Sequence, residues 1–409
     1  MSRIKIKHFG PIKEGILENE GWLEIKKYTL FIGNQGSGKS TVAKVITTMF
    51  WLEKALNRGD ISENDFNRAK FNSYFEYMLT HNYFTPETEI EYEGEIMSCL
   101  LNRENIYPII RIKKGSQYKV PKIMYVPADR NFLSVVKNTH VLKDLPESLT
   151  EFAQELRKSQ LILNGHILDL PLKNAKFRYD KINEKSILIG NGYELDLKES
   201  SSGFQSLVPL FLVSQFLSDE IEKGETVLRD QLSAEQSIRR NKEVTEVSFN
   251  SSLSMEEKEK LFKEIDAKYL NTCFINIVEE PEQNLFPSSQ QKVLHSLLGI
   301  ANKREANKLI ITTHSPYLVN FFTLAVKAYL VANASPDEKT HNKVNDIVPL
   351  SALVNPEDLV IYELNEENGE IKKLPDYKGL PSDENYLNEG LVESNELFAQ
   401  LQEIEKGWQ

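Results

Sequence analysis

The chain has 409 residues, of which 40% are hydrophobic and 27% are charged, proportions that are ordinary for a globular protein. No apolar run approaches the roughly 18 residues that a membrane-spanning helix needs, and the N-terminus lacks the apolar block of a secretion signal. Two cysteines, Cys99 and Cys273, are too few for a disulfide framework. We therefore expect a cytoplasmic protein that contains two domains or one large domain with insertions.

The net charge of −11 is distributed unevenly along the chain. The segment 363–409 contains twelve acidic and four basic residues, so it carries −8, and −3 remains for the first 362 residues. Bulk charge therefore does not favour nucleic-acid binding, although a local basic patch in the first 360 residues stays open. The acidic segment is either a solvated surface or a docking region for a basic partner.

Hydrophobic periodicity predicts strands and helices in alternation, with inserted segments between them. Helices are predicted at 42–58, 60–87, 141–163 and 207–222, and a charged helical insertion is predicted at 223–268. Strand regions are predicted at 3–9, 22–32, 88–102, 107–120, 122–126, 173–197, 273–278 and 308–313. The last two are continuously apolar, as in a covered parallel sheet. The expected fold is α/β, with a mixed central sheet, flanking antiparallel strands and a helical insertion.

The most specific motif is "GNQGSGKS", which fits the spacing G-x-x-x-x-G-K-S. Its glycines allow the backbone to curl so that successive N–H groups point at an anion, and the helix that follows adds its positive end. We expect Lys39 to reach the β- and γ-phosphates of a nucleotide and the Ser40 hydroxyl to bind Mg²⁺. The predicted phosphate contacts are Gly33, Asn34, Gln35, Gly36, Ser37, Gly38, Lys39, Ser40 and Thr41.

Two acids and a histidine follow the two apolar strands. Glu279 and Glu280 come directly after "FINIV", where α/β sheets bind ligands. One acid would hold Mg²⁺, and the next would orient or deprotonate an attacking water. His314 ends "LIITTH" and could hydrogen-bond a γ-phosphate. Each of these features alone has an ordinary structural explanation. The phosphate loop earlier in the chain favours a catalytic role for them.

A run of serines precedes the helix predicted at 207–222. The residues Ser200, Ser201, Ser202 and Gly203 stand just ahead of an apolar segment. Hydroxyls and unpaired N–H groups at a helix start bind anions, although an ordinary helix cap is the simpler interpretation of this feature in isolation.

Taken in chain order, the phosphate loop, the serine–glycine turn, the acidic strand end and the histidine resemble the ATP-binding-cassette class of ATPases. The stretches "YVPADR", "SSSGFQS", "EEPEQNLFPSSQQ" and "TTHSPYLV" are similar to the heads of chromosome-maintenance, double-strand-break-repair and recombination-mediator proteins. They are closer still to bacterial "overcoming lysogenization defect" (OLD) type AAA ATPases of anti-phage defence systems, such as Septu-like ATPase subunits. The resemblance covers about residues 1–330, with insertions at about 51–198 and 223–268, and leaves 331–409 as an acidic partner-docking region.

The resemblance implies that two copies, or a higher homo-oligomer, sandwich ATP and Mg²⁺ between their heads. The signature serine of one copy would contact the γ-phosphate held by the other, and Ser201 or Ser202, beside Gly203, would be that serine. The loop 281–285 would contact the opposite subunit. The chain would act as the ATPase subunit of a defence complex that controls a separately encoded nuclease.

The same resemblance assigns roles to the remaining site residues. Glu280 would be the catalytic glutamate, Glu279 the magnesium-side acid and His314 the switch histidine. The class usually has a magnesium-contacting glutamine between its first two motifs, and "YVPADRN" offers none. Arg130, or alternatively Asp129, would take its place.

Two further features of the class are an aromatic residue that stacks on adenine and, in some relatives, a nuclease module. Phe9 is a candidate for adenine stacking by its position in the first strands. Some relatives carry a nuclease module that begins with E-G and contains D-x-D. Here Glu389-Gly390 is followed by no D-x-D, so no nuclease centre is expected.

Three other functions stay open. A repair or recombination ATPase would clamp DNA in a basic groove of the dimer. A nucleotide-sensing scaffold would bind ATP with little turnover. The engine of a membrane transporter would have the glutamine and a full L-S-G-G-Q signature, and neither is found here.

Overall fold

The computed structural model describes residues 2–63, 66–105, 108–113, 118–136, 144–224, 232, 234–335 and 337–406. The strands of this part of the chain are β1 (Ser2–Phe9), β2 (Gly15–Ile16), β3 (Leu23–Ile25), β4 (Tyr28–Gly33), β5 (Phe84–Glu93), β6 (Met97–Leu101), β7 (Ile109–Ile112), β8 (Pro121–Val126), β9 (Ile167–Asp169), β10 (Lys176–Asp180), β11 (Lys185–Gly190), β12 (Tyr193–Asp196), β13 (Cys273–Glu279), β14 (Lys308–Thr313), β15 (Leu359–Leu364), β16 (Glu370–Lys373), β17 (Asp376–Tyr377) and β18 (Leu380–Pro381).

Along the chain, most helices come between two strands of the central sheet. They are α1 (Lys39–Arg58), α2 (Arg68–Ser73), α3 (Phe132–Val135), α4 (Glu147–Leu163), α5 (Ser202–Lys223), α6 (Ala234–Phe249), α7 (Met255–Tyr269), α8 (Pro287–Asn302), α9 (Pro316–Ala334), α10 (Glu338–Ile347) and α11 (Tyr386–Lys406).

The central sheet has seven strands in the order β2-β16-β15-β4-β14-β13-β8. The strand β4 pairs in parallel with β14 on one side and with β15 on the other. The strand β13 pairs in parallel with β14 and β8. Because these five strands are parallel, their carboxyl ends meet at one edge of the sheet, where α/β folds bind ligands. The segments that begin after β4, β13 and β14 therefore lie side by side.

Both faces of the sheet are covered. Leu30 and Ile32 belong to a core shared with α4, α5, α8 and α9, whereas Phe31 belongs to a core shared with α1. This division follows from the alternation of side chains along a strand. The second core extends into a five-stranded antiparallel sheet of order β3-β1-β5-β6-β7, and β9–β12 form a separate antiparallel sheet. The predicted α/β fold, with its mixed central sheet, flanking antiparallel strands and helical insertion, is confirmed.

Several predicted boundaries differ from the structure. The described part of the helix predicted at 60–87 includes α2 and a 3-10 turn at His81–Tyr83, residues 64–65 lie outside the described part, and β5 already begins at Phe84. The strand predicted at 107–120 is limited to β7, and residues 106–107 and 114–117 lie outside the described part. In the described part of the chain, the helical insertion consists of α6 and α7. Residues 225–231 and 233 lie outside that part.

The boundary predicted near residue 330 does not separate two units. Strands β15 and β16 come from the segment 331–409, and β15 pairs directly with the phosphate-loop strand β4 from Leu359 to Leu364. The reason is local, since "LVIYEL" is an apolar strand within an otherwise acidic segment. The expected docking region is thus partly a component of the central sheet.

The helix α9 is the one helix among the described residues that is long and apolar enough to cross a membrane, which the sequence analysis did not anticipate. Its length and composition alone are weak evidence, because the core helix of a globular protein passes the same test. Leu318, Val319 and Phe322 of this helix are buried in the core under the sheet.

Candidate active site

The phosphate loop connects the end of β4 to the start of α1. Gly38 precedes the helix in a left-handed conformation, with φ of 96°, and an added Cβ would lie 2.5 Å from Cδ1 of Ile12. A Cβ on Gly33 would clash with the carbonyl oxygen of Leu364, its neighbour on β15. Glycine is therefore required at both positions by backbone conformation and by close packing.

The Lys39 side chain is buried within the loop. Its Nζ donates to the carbonyl oxygens of Gly33, at 2.8 Å, and Asn34, at 2.6 Å. Burial lowers the pKa of Lys39 to about 8, although the nearby carboxylates of Glu280 and Glu282 oppose that shift. The ammonium group is therefore held by carbonyl oxygens of the loop itself, and its contact with a phosphate stays a prediction.

The rim of the loop is open to solvent and is bordered by the C-terminal segment. Asn34, Gln35, Gly36 and Ser40 are exposed, whereas Ser37 and Thr41 are buried. Nδ2 of Asn34 donates to Oε1 of Glu366 at 2.6 Å. An acid between β15 and β16 therefore contacts the phosphate loop itself, which the sequence analysis missed.

The two acids predicted after β13 point to different partners. Glu279 is nearly buried, and its Oε2 accepts a hydrogen bond from the backbone N of Ala128 at 3.1 Å. Glu280 has a left-handed φ of 42°, which turns the chain at the sheet edge. Oε1 of Glu280 lies 3.1 Å from Nε2 of His314, and this hydrogen bond lowers the pKa of the Glu280 carboxyl. The structure thus brings Glu280 and His314 together at the end of β13 and β14.

A third acid, Glu282, accepts hydrogen bonds from the segment that contains Thr313 and His314. Its Oε1 accepts hydrogen bonds from Oγ1 of Thr313, at 2.6 Å, and from the backbone N of His314, at 2.8 Å. Burial raises the pKa of the Glu282 carboxyl. Sequence reasoning missed this residue, although a third acid in "EEPE", within a turn that follows a buried strand, was a visible signal.

The serine turn forms the start of α5. Ser201 and Ser202 are exposed, and the side chain of Ser201 makes no capping hydrogen bond to the helix that it precedes. Gly203 is buried, and a Cβ at this position would lie 2.8 Å from the carbonyl oxygen of Asn284. The glycine therefore permits close packing of α5 on the loop after β13.

Two predicted nucleotide contacts lie elsewhere, and both predictions are corrected. Arg130 is completely buried, and its guanidinium donates to backbone carbonyls instead of facing the phosphate loop. Phe9 is completely buried in an aromatic cluster with Phe75 and Phe84, which excludes it from adenine stacking. Asp129, the alternative to Arg130, is exposed beside the segment that contacts Glu279.

The donor chemistry at the sheet edge fits Mg²⁺. A serine hydroxyl from Ser40 and a carboxylate from Glu279 are oxygen ligands, which Mg²⁺ prefers, usually with phosphate oxygens and water completing the octahedron. Among the described residues, no group of three or more His, Cys, Asp or Glu side chains is arranged to hold a metal ion. Bound through Ser40 and Glu279, a magnesium ion would complete its coordination with nucleotide phosphates and water.

A model of a known protein family matches part of the chain. Residues 133–319, which include the serine turn, the two acids and His314, match the AAA_15 family, described as an AAA ATPase domain. The phosphate loop precedes the matched range. No curated protein sequence matches the chain.

Solved structures of similar topology are distant in sequence. The SMC head domain from Thermotoga maritima has 10% identity and a TM-score of 0.37, with 92% of this chain and 98% of that chain covered. The Smc head domain with an extended coiled coil from Pyrococcus furiosus, bound to the C-terminal domain of ScpA, has 9% identity and a TM-score of 0.39, with 98% and 100% covered. A dimeric ATP-binding cassette bound to ADP and Pi has 12% identity and a TM-score of 0.29, with 92% and 100% covered. At such scores these similarities say nothing about function. The match to the AAA ATPase domain thus covers the part of the chain that contains Glu279, Glu280 and His314.

Proposed function

We propose that this protein binds ATP with Mg²⁺ and hydrolyses it at the carboxyl edge of the central sheet. The observation that carries the proposal is the hydrogen-bonded pair of Glu280 and His314, which stands at the end of β13 and β14, beside the strand that carries the phosphate loop. A phosphate cradle alone binds nucleotides, whereas a carboxylate paired with an imidazole next to it supplies the groups that act on a water molecule.

Each side chain has a distinct task in this proposal. Lys39 neutralises charge on the β- and γ-phosphates. Glu280, whose pKa is lowered, stays ionised and accepts a proton from water. His314 orients Glu280 and hydrogen-bonds the γ-phosphate. When bound through Ser40 and Glu279, Mg²⁺ would stabilise negative charge on the phosphates.

We further propose that ATP joins two copies of the chain. The exposed Ser201 and Ser202 at the start of α5 are suited to contact a nucleotide on another copy. A helix N-terminus with free hydroxyls is a favourable anion contact, and two copies would complete both sites symmetrically. Activity should then depend on protein concentration.

The test is phosphate release from ATP, measured together with the oligomeric state. The wild-type protein should hydrolyse ATP with Mg²⁺, and Glu280→Gln should stop turnover while an ATP-bound dimer accumulates. Glu256→Gln, an exposed position on α7, serves as the matched control and should behave like the wild type. Tight ATP binding without wild-type turnover would instead indicate a nucleotide sensor.

The proposed biological role is that of the ATPase subunit of a bacterial anti-phage defence complex with a separately encoded nuclease. This role rests on the resemblance of "SSSGFQS" and "EEPEQNLFPSSQQ" to OLD-type ATPases. Phage plating on cells that express the protein with its neighbouring genes tests it. Protection should be lost with Lys39→Ala, and equal plating with and without the wild-type genes would contradict the role.

A further inference from the structure

Arg130 joins three segments of the fold through hydrogen bonds to main-chain carbonyls only. Its Nη1 donates to the oxygens of Pro127, at 3.1 Å, and Glu279, at 2.7 Å. Its Nη2 donates to the oxygen of Glu280 at 2.6 Å, and its Nε donates to that of Ser206 at 3.1 Å. One side chain thus connects the turn after β8, the two acids at the end of β13 and the N-terminal part of α5.

The arginine is present as a buried cation. None of its surface is exposed, and burial lowers its pKa to about 10, so it remains protonated at neutral pH. The nearby carboxylates of Glu279, Glu280 and Glu282 favour the charged form. Hydrogen bonds from a charged donor are roughly twice as strong as neutral ones, and low polarity strengthens them further. These four bonds therefore form a stiff connection.

A second set of contacts joins two of the same segments. Nδ2 of Asn284 donates to Oγ of Ser206 at 3.3 Å. The close approach of Gly203 to the carbonyl of Asn284 presses the start of α5 against the loop after β13. Together with Arg130, these contacts make the serine turn and the catalytic acids parts of one packed unit.

We propose that Arg130 is a positioning residue that ties the serine turn to the catalytic acids of the same subunit, so that the two ATP sites of a dimer respond together. The inference rests on the proposed ATP-bound dimer. In that dimer the acids of one subunit serve its own nucleotide, whereas its serine turn serves the nucleotide of the other subunit. A rigid link between them within one subunit is therefore a link between two active sites.

The test uses mixed dimers with one working site. One subunit has the wild-type phosphate loop, and the other subunit carries Lys39→Ala. The one working site then consists of the phosphate loop and acids of the wild-type subunit and the serine turn of the Lys39→Ala subunit. Arg130→Lys, which keeps the charge but loses the planar fork, is then placed in either subunit. Displacement by about 1 Å can lower turnover about 100-fold, so we expect kcat to fall at least about tenfold from either placement, with KM for ATP nearly unchanged.

The matched control is Arg304→Lys. Arg304 also donates to two backbone carbonyls, those of Ile221 and Thr272, and thereby braces the other end of α5 against the start of β13. This variant should leave kcat of both mixed dimers unchanged, although it removes comparable contacts between the same elements.

The outcomes separate this inference from the proposed function. A wild-type dimer without ATPase activity would contradict the proposed function. A wild-type dimer that is active beside an inactive reference mixed dimer, which carries only Lys39→Ala in one subunit, would support the coupling. If the reference dimer works, loss of activity only when Arg130→Lys lies in the subunit that supplies the acids would overturn the coupling, and so would no loss at all. If Arg130→Lys does not fold, deuterium uptake of the wild-type protein decides, measured with ATP at a dilution at which sedimentation shows only monomer. ATP should then slow exchange in 200–206 as well as in 33–41, and a change in 33–41 alone would overturn the inference.

Discussion

Nε2 of His314 lies 3.1 Å from Oε1 of Glu280, and this contact is the first cause of the lowered pKa of the Glu280 carboxyl. Because the folded pKa lies below the ordinary value of 4.5, the pair stabilises the protein above pH 4.5, and that stabilisation is lost as the pH falls through the folded pKa. Burial acts in the opposite direction, and the positive charges of Arg130 and Lys39 lower this pKa to a smaller extent than the histidine does.

We therefore expect His314→Ala to move the acidic limb of the kcat/KM profile to higher pH, in addition to lowering kcat by about 100-fold or more. His314→Gln is the matched variant, because its amide can still donate to Glu280 while it does not titrate. That variant should keep the acidic limb close to the wild-type position. An acidic limb that is the same in all three proteins would show that Glu280 is not the group that titrates.

Because Lys39 is buried, we expect the affinity for ATP to decrease at basic pH. Its pKa is lowered to about 8 by burial, so the ammonium group that attracts the phosphates is lost above that pH. The dissociation constant of ATP, measured by calorimetry between pH 7 and 9.5, should rise above pH 8 by up to about tenfold per pH unit.

Loss of structure would not account for that rise. Between pH 8 and the unfolded value of 10.5, the unfolded chain binds more protons at Lys39 than the folded chain, so deprotonation of Lys39 stabilises the folded protein there. Lys39→Arg keeps its charge in this range and should bind ATP with an affinity that does not change with pH. Parallel pH curves for the wild type and the arginine variant would refute the assignment to Lys39.

We expect substitution of Glu282 to lower the rate of ATP turnover without changing the affinity for ATP. The residue holds Thr313 and the backbone of His314 through two hydrogen bonds, so Glu282→Ala should lower kcat at least about tenfold through misplacement of the histidine. Equilibrium binding of ATP should remain within about twofold of the wild type. Glu282→Gln retains an acceptor oxygen and should recover most of the activity, whereas equal loss in both variants would indicate a role for the charge itself.

Local sequence patterns were sufficient to predict where the parts of the site that follow buried strands lie. The positions of the phosphate loop, Glu279, Glu280 and His314 depend on apolar strands that end in polar residues, and parallel pairing then brings the ends together. The two antiparallel sheets were likewise visible as alternating segments between turns.

Contacts between residues that are distant in the chain were not predictable from these patterns. Arg130 and Ser206 are 76 residues apart, and only the packing of α5 against the loop after β13 turns the arginine inward. Phe9 is enclosed by the aromatic cluster that forms when β1 and β5 pair. Similarly, the strand β15 was hidden within a segment whose average composition is acidic, although its pairing with β4 completes the sheet.

A final prediction concerns the stability of the fold away from the phosphate loop. The buried Glu53 of α1 accepts hydrogen bonds from the hydroxyl of Tyr92, at 2.7 Å, and from the backbone N of Ile96, at 2.7 Å, and Met97, at 3.0 Å. Glu53→Ala leaves buried donors unpaired between α1 and the β5–β6 hairpin. The free energy of unfolding should therefore fall by about 3 kcal/mol, with ATP affinity unchanged.

The pH dependence of unfolding separates the charge of Glu53 from its hydrogen bonds. Burial raises the pKa of this carboxyl, so the folded protein binds more protons there than the unfolded chain, and the contribution of Glu53 to stability decreases as the pH rises from 4.5 through the folded pKa. Glu53→Gln retains one acceptor oxygen and does not titrate. Its melting temperature should therefore decrease less than that of the wild type over this pH range, whereas identical decreases would mean that Glu53 is already ionised in the folded protein at pH 4.5.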